Sequence, residues 1–248
     1  MPVAPDSHAA GPAYRVLMAA ALPRLRGRSD PASRALRRAL WTTALGTIPS
    51  EERAWIARIE ARRAEMASGD GAVFSKWMSI APVWGRFLMR IVRELSPSSC
   101  LELGTAFGIS AAYQAAALEL SGAGRLITLE RADPLATFAE DGFTRLELDR
   151  RVELRRGEID DSLAELLPGS DPFDYAFLDA DHVEDATLAH FTMLLPHLRE
   201  GAVVVLDDVN WSDGMRRAWD AISHDRRVSA AVAIRRMGIV VLDAPDPG

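Results

Sequence analysis

The sequence predicts a doubly wound α/β fold: a seven-stranded, mostly parallel sheet with an antiparallel last strand, preceded by a helical extension. Three observations carry that expectation. From Ser98 onward short apolar runs alternate with helical stretches, a pattern that builds a parallel sheet covered by helices on both faces. From Ala13 to about Ala67 the periodicity is helical alone. The last two apolar runs, Val228 to Ile234 and Ile239 to Leu242, are joined by a turn near Gly238 and read as a terminal hairpin.

In chain order, residues 1 to 12 are rich in Pro, Ala and Gly and read as a disordered tail. Residues 13–81 read as a helical lid or dimerisation region, with turns near Gly27 to Pro31 and Gly46 to Ser50. Ser50 is placed to cap the helix that begins Glu51-Glu52-Arg53. A loop, Ser68-Gly-Asp-Gly71, follows. Residues 82–248 form the core domain, opened by a helix from Pro82 to Leu95 with Trp84, Phe87, Leu88, Ile91 and Val92 on one face. The first strand is Cys100 to Leu103, followed by an Ala-rich helix from Ile109 to Leu120. The second is Arg125 to Glu130, with a helix from about Pro134 to Gly142, and the third is Val152 to Arg155. Phe173 to Leu178 is the fourth, a helix spans Glu184 to Leu195, and Ala202 to Leu206 is the fifth. Trp211 to Ile222 completes the set as a helix.

Composition narrows the function classes. A net charge of −6 lacks the basic excess of a general nucleic-acid binder. No apolar run approaches the ~20 residues of a membrane span, and Val16 to Leu22 is too short to be one. The single cysteine, Cys100, opens an apolar strand and reads as a small core residue, in keeping with a reducing cytoplasm.

In a doubly wound sheet ligands bind beyond the carboxyl ends of the strands, so the residues following each strand carry the chemistry. After the first comes Glu102-Leu-Gly-Thr-Ala-Phe-Gly108, then a helix. Its glycines let backbone pass close to a ligand, and the helix start offers free N–H groups to an anion. The dinucleotide spacing G-x-G-x-x-G is absent. The second strand ends at Glu130, about 20 residues on, where an acid can hold both hydroxyls of a ribose. The fourth ends in Asp179-Ala-Asp181-His182 and the fifth in Asp207-Asp208. Parallel neighbours set those ends side by side. Three carboxylates at one rim raise one another's pKa unless a cation joins them, and an all-oxygen set suits Mg²⁺ or Ca²⁺. The alternative is that Asp207 and Asp208 line a loop and Asp179 meets the ligand alone.

These motifs and the strand order from Pro82 to Leu242 resemble the Rossmann-like class I S-adenosylmethionine-dependent methyltransferases. The resemblance implies that Glu102, Gly104, Thr105, Ala106 and Gly108 pass under the methionine part of S-adenosyl-L-methionine, with Ser110 at its carboxylate. It implies Glu130 and Arg131 at the ribose, Gly157-Glu158-Ile159 at adenine, and Asp179 beside the methyl group. Ala106 departs from the glycine that many members have there. The strand-end acids resemble those of cation-dependent small-molecule O-methyltransferases of the catechol, caffeoyl-coenzyme A and sugar types. That implies a Mg²⁺ held by Asp179, Asp207 and Asp208. His182 stands where catechol-type members have a basic lysine, so His182 or solvent takes the acceptor's proton, with Asp181 a candidate to orient it.

The expected activity is therefore O-methylation of a hydroxyl on a small molecule of secondary-metabolite type, in the cytoplasm, without nucleic acid or membrane, and with a possible homodimer through the N-terminal helices. Trp211 is a candidate substrate wall, Phe74, Trp77 and Met78 are candidates for part of a lid, and Lys76, His8, His190, His197 and His224 read as ordinary side chains. The competing readings are a metal-independent N- or O-methyltransferase, a catalytically silent cofactor-binding protein, a nucleic-acid methyltransferase and, last, a dinucleotide oxidoreductase.

Overall fold

The computed structural model describes residues 12–66 and 79–243. His8, the Ser68 to Gly71 loop, Phe74, Lys76, Trp77, Met78 and all but the last residue of the proposed tail lie outside them.

Three helices come first: α1 (Pro12–Ala21), α2 (Pro31–Leu45) and α3 (Ser50–Met66), with a 3-10 turn at Leu22–Leu25 after α1. Asp30 caps α2 by accepting from the Ser33 N–H at 2.7 Å, and Gly46, at φ 72°, ends it. The cap expected at Ser50 is not made. The Arg53 N–H already bonds the Pro49 carbonyl at 3.0 Å, so the helix starts one residue earlier and takes in Ser50. Helix α4 (Pro82–Leu95) leads into the alternating region: β1 (Ser99–Leu103), α5 (Ile109–Ser121), β2 (Arg125–Glu130), α6 (Asp133–Leu146) and β3 (Val152–Arg156). There follow α7 (Ile159–Leu166), β4 (Phe173–Leu178), α8 (Glu184–Leu194), β5 (Leu198–Leu206), α9 (Asp213–Ser223), β6 (Val228–Ile234) and β7 (Met237–Leu242). Helix α7, which the sequence reading did not include, forms the crossover from β3 to β4.

The sheet order is β3-β2-β1-β4-β5-β7-β6. The first five strands run parallel and β7 runs antiparallel to both neighbours, as the sequence predicts. The order reverses between β1 and β4, which opens a crevice at their carboxyl ends. The hairpin turn is Arg235-Arg236, with Arg235 at φ 52°, and not the region of Gly238. Gly238 lies inside β7, where a Cβ would stand 2.4 Å from the Trp219 ring; it is a packing glycine.

Alternate residues of each strand serve opposite cores. Cys100, Tyr175, Phe177, Val203 and Val205 face α4 and α5, whereas Leu101, Leu103, Ala176, Leu178 and Leu206 face α7, α8 and α9. The N-terminal helices do not stand apart. Met18, Leu36, Leu40 and Ile59 are fully buried in the same cluster as Trp84, Phe87 and Tyr113. They form an outer helical layer in which α2 meets α4, and α3 meets α5 and α6.

Tyr113 pins that layer. Its hydroxyl donates to Glu60 of α3 at 2.7 Å, and its ring lies where a Cβ on Gly85 of α4 would come within 2.4 Å. Helix propensity alone makes Gly85→Ala stabilising by about 1 kcal/mol. The Tyr113 contact reverses the sign, because a held ring cannot retreat. Chemical denaturation of Gly85→Ala is expected to show a net loss of about 1–3 kcal/mol; a gain would reject this account of how α4, α5 and α3 fit together.

Candidate active site

The turn after β1 is fixed from three sides. The Gly104 and Thr105 N–H groups both bond the Leu129 carbonyl at 3.1 Å, which ties the turn to β2. Gly104, at φ 93°, lies so close to β4 that a Cβ would sit 2.3 Å from the Asp179 carbonyl oxygen. Glu130 then clamps the turn from its own strand end: one carboxylate oxygen accepts from the Ala106 N–H at 2.8 Å and the other from the Ala132 N–H at 2.8 Å. Ala106 adopts φ 46°, a left-handed conformation costly for a residue with a Cβ. The glycine common at that place in the related family therefore has a backbone reason. Gly108 precedes α5 at φ 77° and offers no side chain to cap it, so the first-turn N–H groups remain free for an anionic group.

Glu102 and Thr105 do not face this rim. Glu102 is fully buried; Gln114 donates to one of its oxygens at 2.8 Å and Thr128 to the other at 2.6 Å, with the Ser110 hydroxyl adding a further bond. Thr105 shares a 2.6 Å hydrogen bond with Thr128. Both side chains are enclosed, Glu102 at 0% and Thr105 at 1% exposure, and brace the turn from below, whereas the sequence set them against a cofactor. Ser110 is buried beside Glu102. Gly157 adjoins Glu130 through a 3.0 Å backbone bond, Glu158 is exposed and Ile159 opens α7. Arg131 reaches Asp181 at 2.9 Å, an ion pair that links the ends of β2 and β4 on either side of β1.

Beyond β4 and β5 the expected acids do gather. The Asp179 N–H bonds the Leu103 carbonyl at 2.9 Å and the Asp207 N–H bonds the Leu178 carbonyl at 3.0 Å, so three adjacent strand ends stay level. Asp181 and His182 are both in the left-handed region, at φ 59° and 47°. Two such residues in sequence make a strained turn, and it folds the imidazole back over the rim. His182 Nε2 lies 3.6 Å from Asp179 and 3.9 Å from Asp208. Those separations are too long for direct hydrogen bonds and leave room for a proton-bearing group beside the ring. Asp181 does not orient His182, because its carboxylate is engaged with Arg131.

The sequence reading missed Arg236. Its Nε lies 2.7 Å from Asp207 Oδ1 and its Nη2 lies 2.8 Å from Asp208 Oδ2. Asp207 is 1% exposed; its Oδ1 also accepts from the Asp208 N–H at 2.8 Å, and its Oδ2 is enclosed without a partner. Burial and the facing Asp207 push the Asp179 carboxyl well above the usual carboxylate range, and the same two causes raise that of Asp208, with Arg236 opposing both. A divalent ion at these residues needs free oxygens turned to one point. A guanidinium already occupies the facing oxygens of Asp207 and Asp208, and among the described residues no group of three or more His, Cys, Asp or Glu side chains is arranged to hold a metal ion. The Mg²⁺ expected on Asp179, Asp207 and Asp208 does not fit this arrangement. The signal for Arg236 was the β5–β7 pairing: Leu206 opposite Gly238 sets residue 236 beside Asp208.

Other residues fall to structural roles. His190 is buried against Asp160 at 2.9 Å, His224 bonds its own helix end, and Cys100 is enclosed, with burial pushing its thiol up. Trp211 is 59% exposed and Val183 is 55% exposed, both immediately beyond the rim. Among the described residues no helix is long and apolar enough to cross a membrane.

Residues 101–209 match the family model described as a methyltransferase domain. Over 133 residues the chain is 35% identical to a catechol O-methyltransferase from Niastella koreensis, an alignment covering 53% of this chain and 58% of the relative. It is 28% identical over 145 residues to a rhamnosyl O-methyltransferase from Mycobacterium bovis, covering 54% of each. The chain thus spans little more than half the length of these curated relatives. Among solved structures it is similar to an O-methyltransferase from Bacillus cereus in complex with SAH, with a TM-score of 0.62 and 26% identity over 82% of this chain and 96% of that one. An O-methyltransferase from Streptomyces achromogenes involved in tomaymycin synthesis, in complex with SAM, shares the fold with a TM-score of 0.62 and 24% identity over 87% of this chain and all of that one.

Glu102 gives the turn a measurable signature. Burial raises its carboxyl from 4.5 to about 7. The folded state therefore holds that proton more tightly than the unfolded chain. The resulting stability is complete below about pH 4.5 and is lost as pH rises through 7. Glu102→Gln keeps the shape and cannot ionise. Urea denaturation is expected to show the variant more stable than the parent above pH 7, by at most on the order of 3 kcal/mol, with the difference vanishing near pH 4.5. Equal stability of the two proteins at pH 8 would contradict the burial argument.

Proposed function

We propose that this chain, whose residues 101–209 match a methyltransferase domain, is a class I S-adenosylmethionine-dependent methyltransferase that methylates a hydroxyl group on a small molecule. The observation that carries this reading is the pairing of two half-sites on one rim: an anion-ready helix start clamped by Glu130, and a histidine held over Asp179 at the next strand end.

S-adenosylmethionine, when bound, supplies an electrophilic methyl group on a positively charged sulfur. The chain's groups fit it. The uncapped first turn of α5 suits its carboxylate, with Ser110 nearby. Glu130 keeps lone pairs beyond the two N–H bonds it accepts, enough to receive a ribose hydroxyl. Gly157 to Ile159 border the adenine side, and Arg131 the ribose side. The acids around Asp179 favour a cationic centre beside them.

On the acceptor side, His182 Nε2 would take the hydroxyl proton as the oxygen bonds to the methyl carbon and the carbon–sulfur bond breaks, with S-adenosylhomocysteine as the leaving group. Trp211 and Val183 present apolar surface to the body of the acceptor. This supports an aromatic or partly apolar substrate, in line with the catechol named for one relative. Val16, Trp41 and Leu45, exposed on α1 and α2, support the N-terminal helices as the face of a homodimer.

Two substitutions separate the half-sites. His182→Ala is expected to lower kcat by about 10²–10⁴-fold on a panel of catechol and sugar hydroxyls, while calorimetric affinity for S-adenosylmethionine is kept. Glu130→Ala is expected to weaken that affinity by about 10–100-fold, the worth of a charge-assisted hydrogen bond. Unchanged turnover in the first variant, or unchanged affinity in the second, would sink the corresponding assignment.

A further inference from the structure

Resting on the methyltransferase reading, we propose that Arg236 is a built-in cation that joins the acids after β5 in place of a divalent metal, so that the site works without one. The backbone dictates the position. Antiparallel pairing of β5 and β7 runs Val203 with Val241 through Leu206 with Gly238, and continuing that register sets Arg236 beside Asp208. The Arg236 carbonyl accepts from the Val209 N–H at 2.9 Å, and Gly238 is packed against Trp219. The hairpin is held at both places, so the guanidinium is delivered to the rim by the fold.

The chemistry matches the place. A guanidinium stays charged at any working pH, and its planar edge presents two parallel donors to carboxylates. Here Nε serves Asp207 and Nη2 serves Asp208. Those bonds occupy one oxygen of Asp207 and one of Asp208 that a metal ion would share, and Asp207 Oδ2 is enclosed without a partner. An incoming Mg²⁺ would meet a fixed positive charge within a few ångströms, in a partly buried setting where like charges repel strongly. Arg236 thus satisfies the acids and excludes the competitor. It holds Asp208 in place near His182, a positioning role.

The test uses the whole chain loaded with S-adenosylhomocysteine and titrated with MgCl₂ by isothermal calorimetry, together with turnover measured in EDTA. The parent protein is expected to show no saturable Mg²⁺ binding in the millimolar range, and its turnover is expected to stay within about twofold in EDTA. Arg236→Ala, which uncovers the acids, is expected to gain saturable Mg²⁺ binding and to lose at least about tenfold in turnover without metal. Arg236→Lys keeps a cation at the site and is expected to remain blind to Mg²⁺. Saturable Mg²⁺ binding by the parent protein overturns the proposal, as does EDTA-sensitive turnover or full metal-free turnover by a folded Arg236→Ala. If Arg236→Ala does not fold, the parent protein and Arg236→Lys decide. The calorimetric arm needs no acceptor and no turnover. An error in the methyltransferase reading would appear as failure to bind S-adenosylhomocysteine, leaving the Mg²⁺ result legible.

Discussion

Asp207 is the group that this architecture has most trouble accommodating. It ends a buried strand with 1% exposure, and an isolated carboxylate in such a place is costly. It is tolerable because Arg236 meets it from the neighbouring strand at 2.7 Å and the Asp208 N–H adds a second bond at 2.8 Å. That requirement reaches outward. A cation must arrive beside β5, so the chain cannot stop at β5. The β6–β7 hairpin must return antiparallel, in a register that puts its tip beside Asp208. Trp219 and Gly238 then hold the hairpin on the sheet. The salt bridge at the rim adds a polar anchor to a hairpin that its pairing with β5 and the burial of β7 already hold.

Most of the architecture was legible because burial on both faces writes a strong pattern. Phe173 to Leu178 and Arg125 to Glu130 have the limits read from the sequence, since both are apolar runs bounded by loop residues. What failed has particular causes. Helix α7 is short and opens with Ile159-Asp-Asp, so its few apolar positions give little periodicity. Gly238 looked like a turn because glycine usually signals flexible backbone; here it makes room for Trp219. Glu102 looked like a ligand because it precedes the glycine turn, yet its side chain points among Thr128 and Gln114, partners distant in sequence. Arg236 was invisible for the same reason: antiparallel register decides its neighbours, and one arginine among many carries no local mark.

The His182 turn shows how the site uses strain. Consecutive left-handed residues at Asp181 and His182 are unfavourable without glycine, and the surroundings must hold them. Arg131 does so by gripping Asp181 across the end of β1. The same ion pair therefore shapes the acceptor side and borders the ribose side. Under the proposed function this couples the two half-sites: a change at residue 131 bears on the imbalance of the His182 turn as well as on the cofactor.

Charge explains why so many acids can share the crevice. Glu102 below the turn and Asp179 above it both have carboxyls raised by burial, so neither needs a full negative charge when the site is empty. Under the proposed function, a sulfonium held beside Asp179 would favour ionisation of that carboxyl. Arg236 stays fixed in either case, because its charge does not depend on the ligand. The rim thus combines a permanent cation, Arg236, that fixes Asp207 and Asp208 with an Asp179 carboxyl that burial and Asp207 hold above its usual range, while Glu102 lies enclosed beneath the turn.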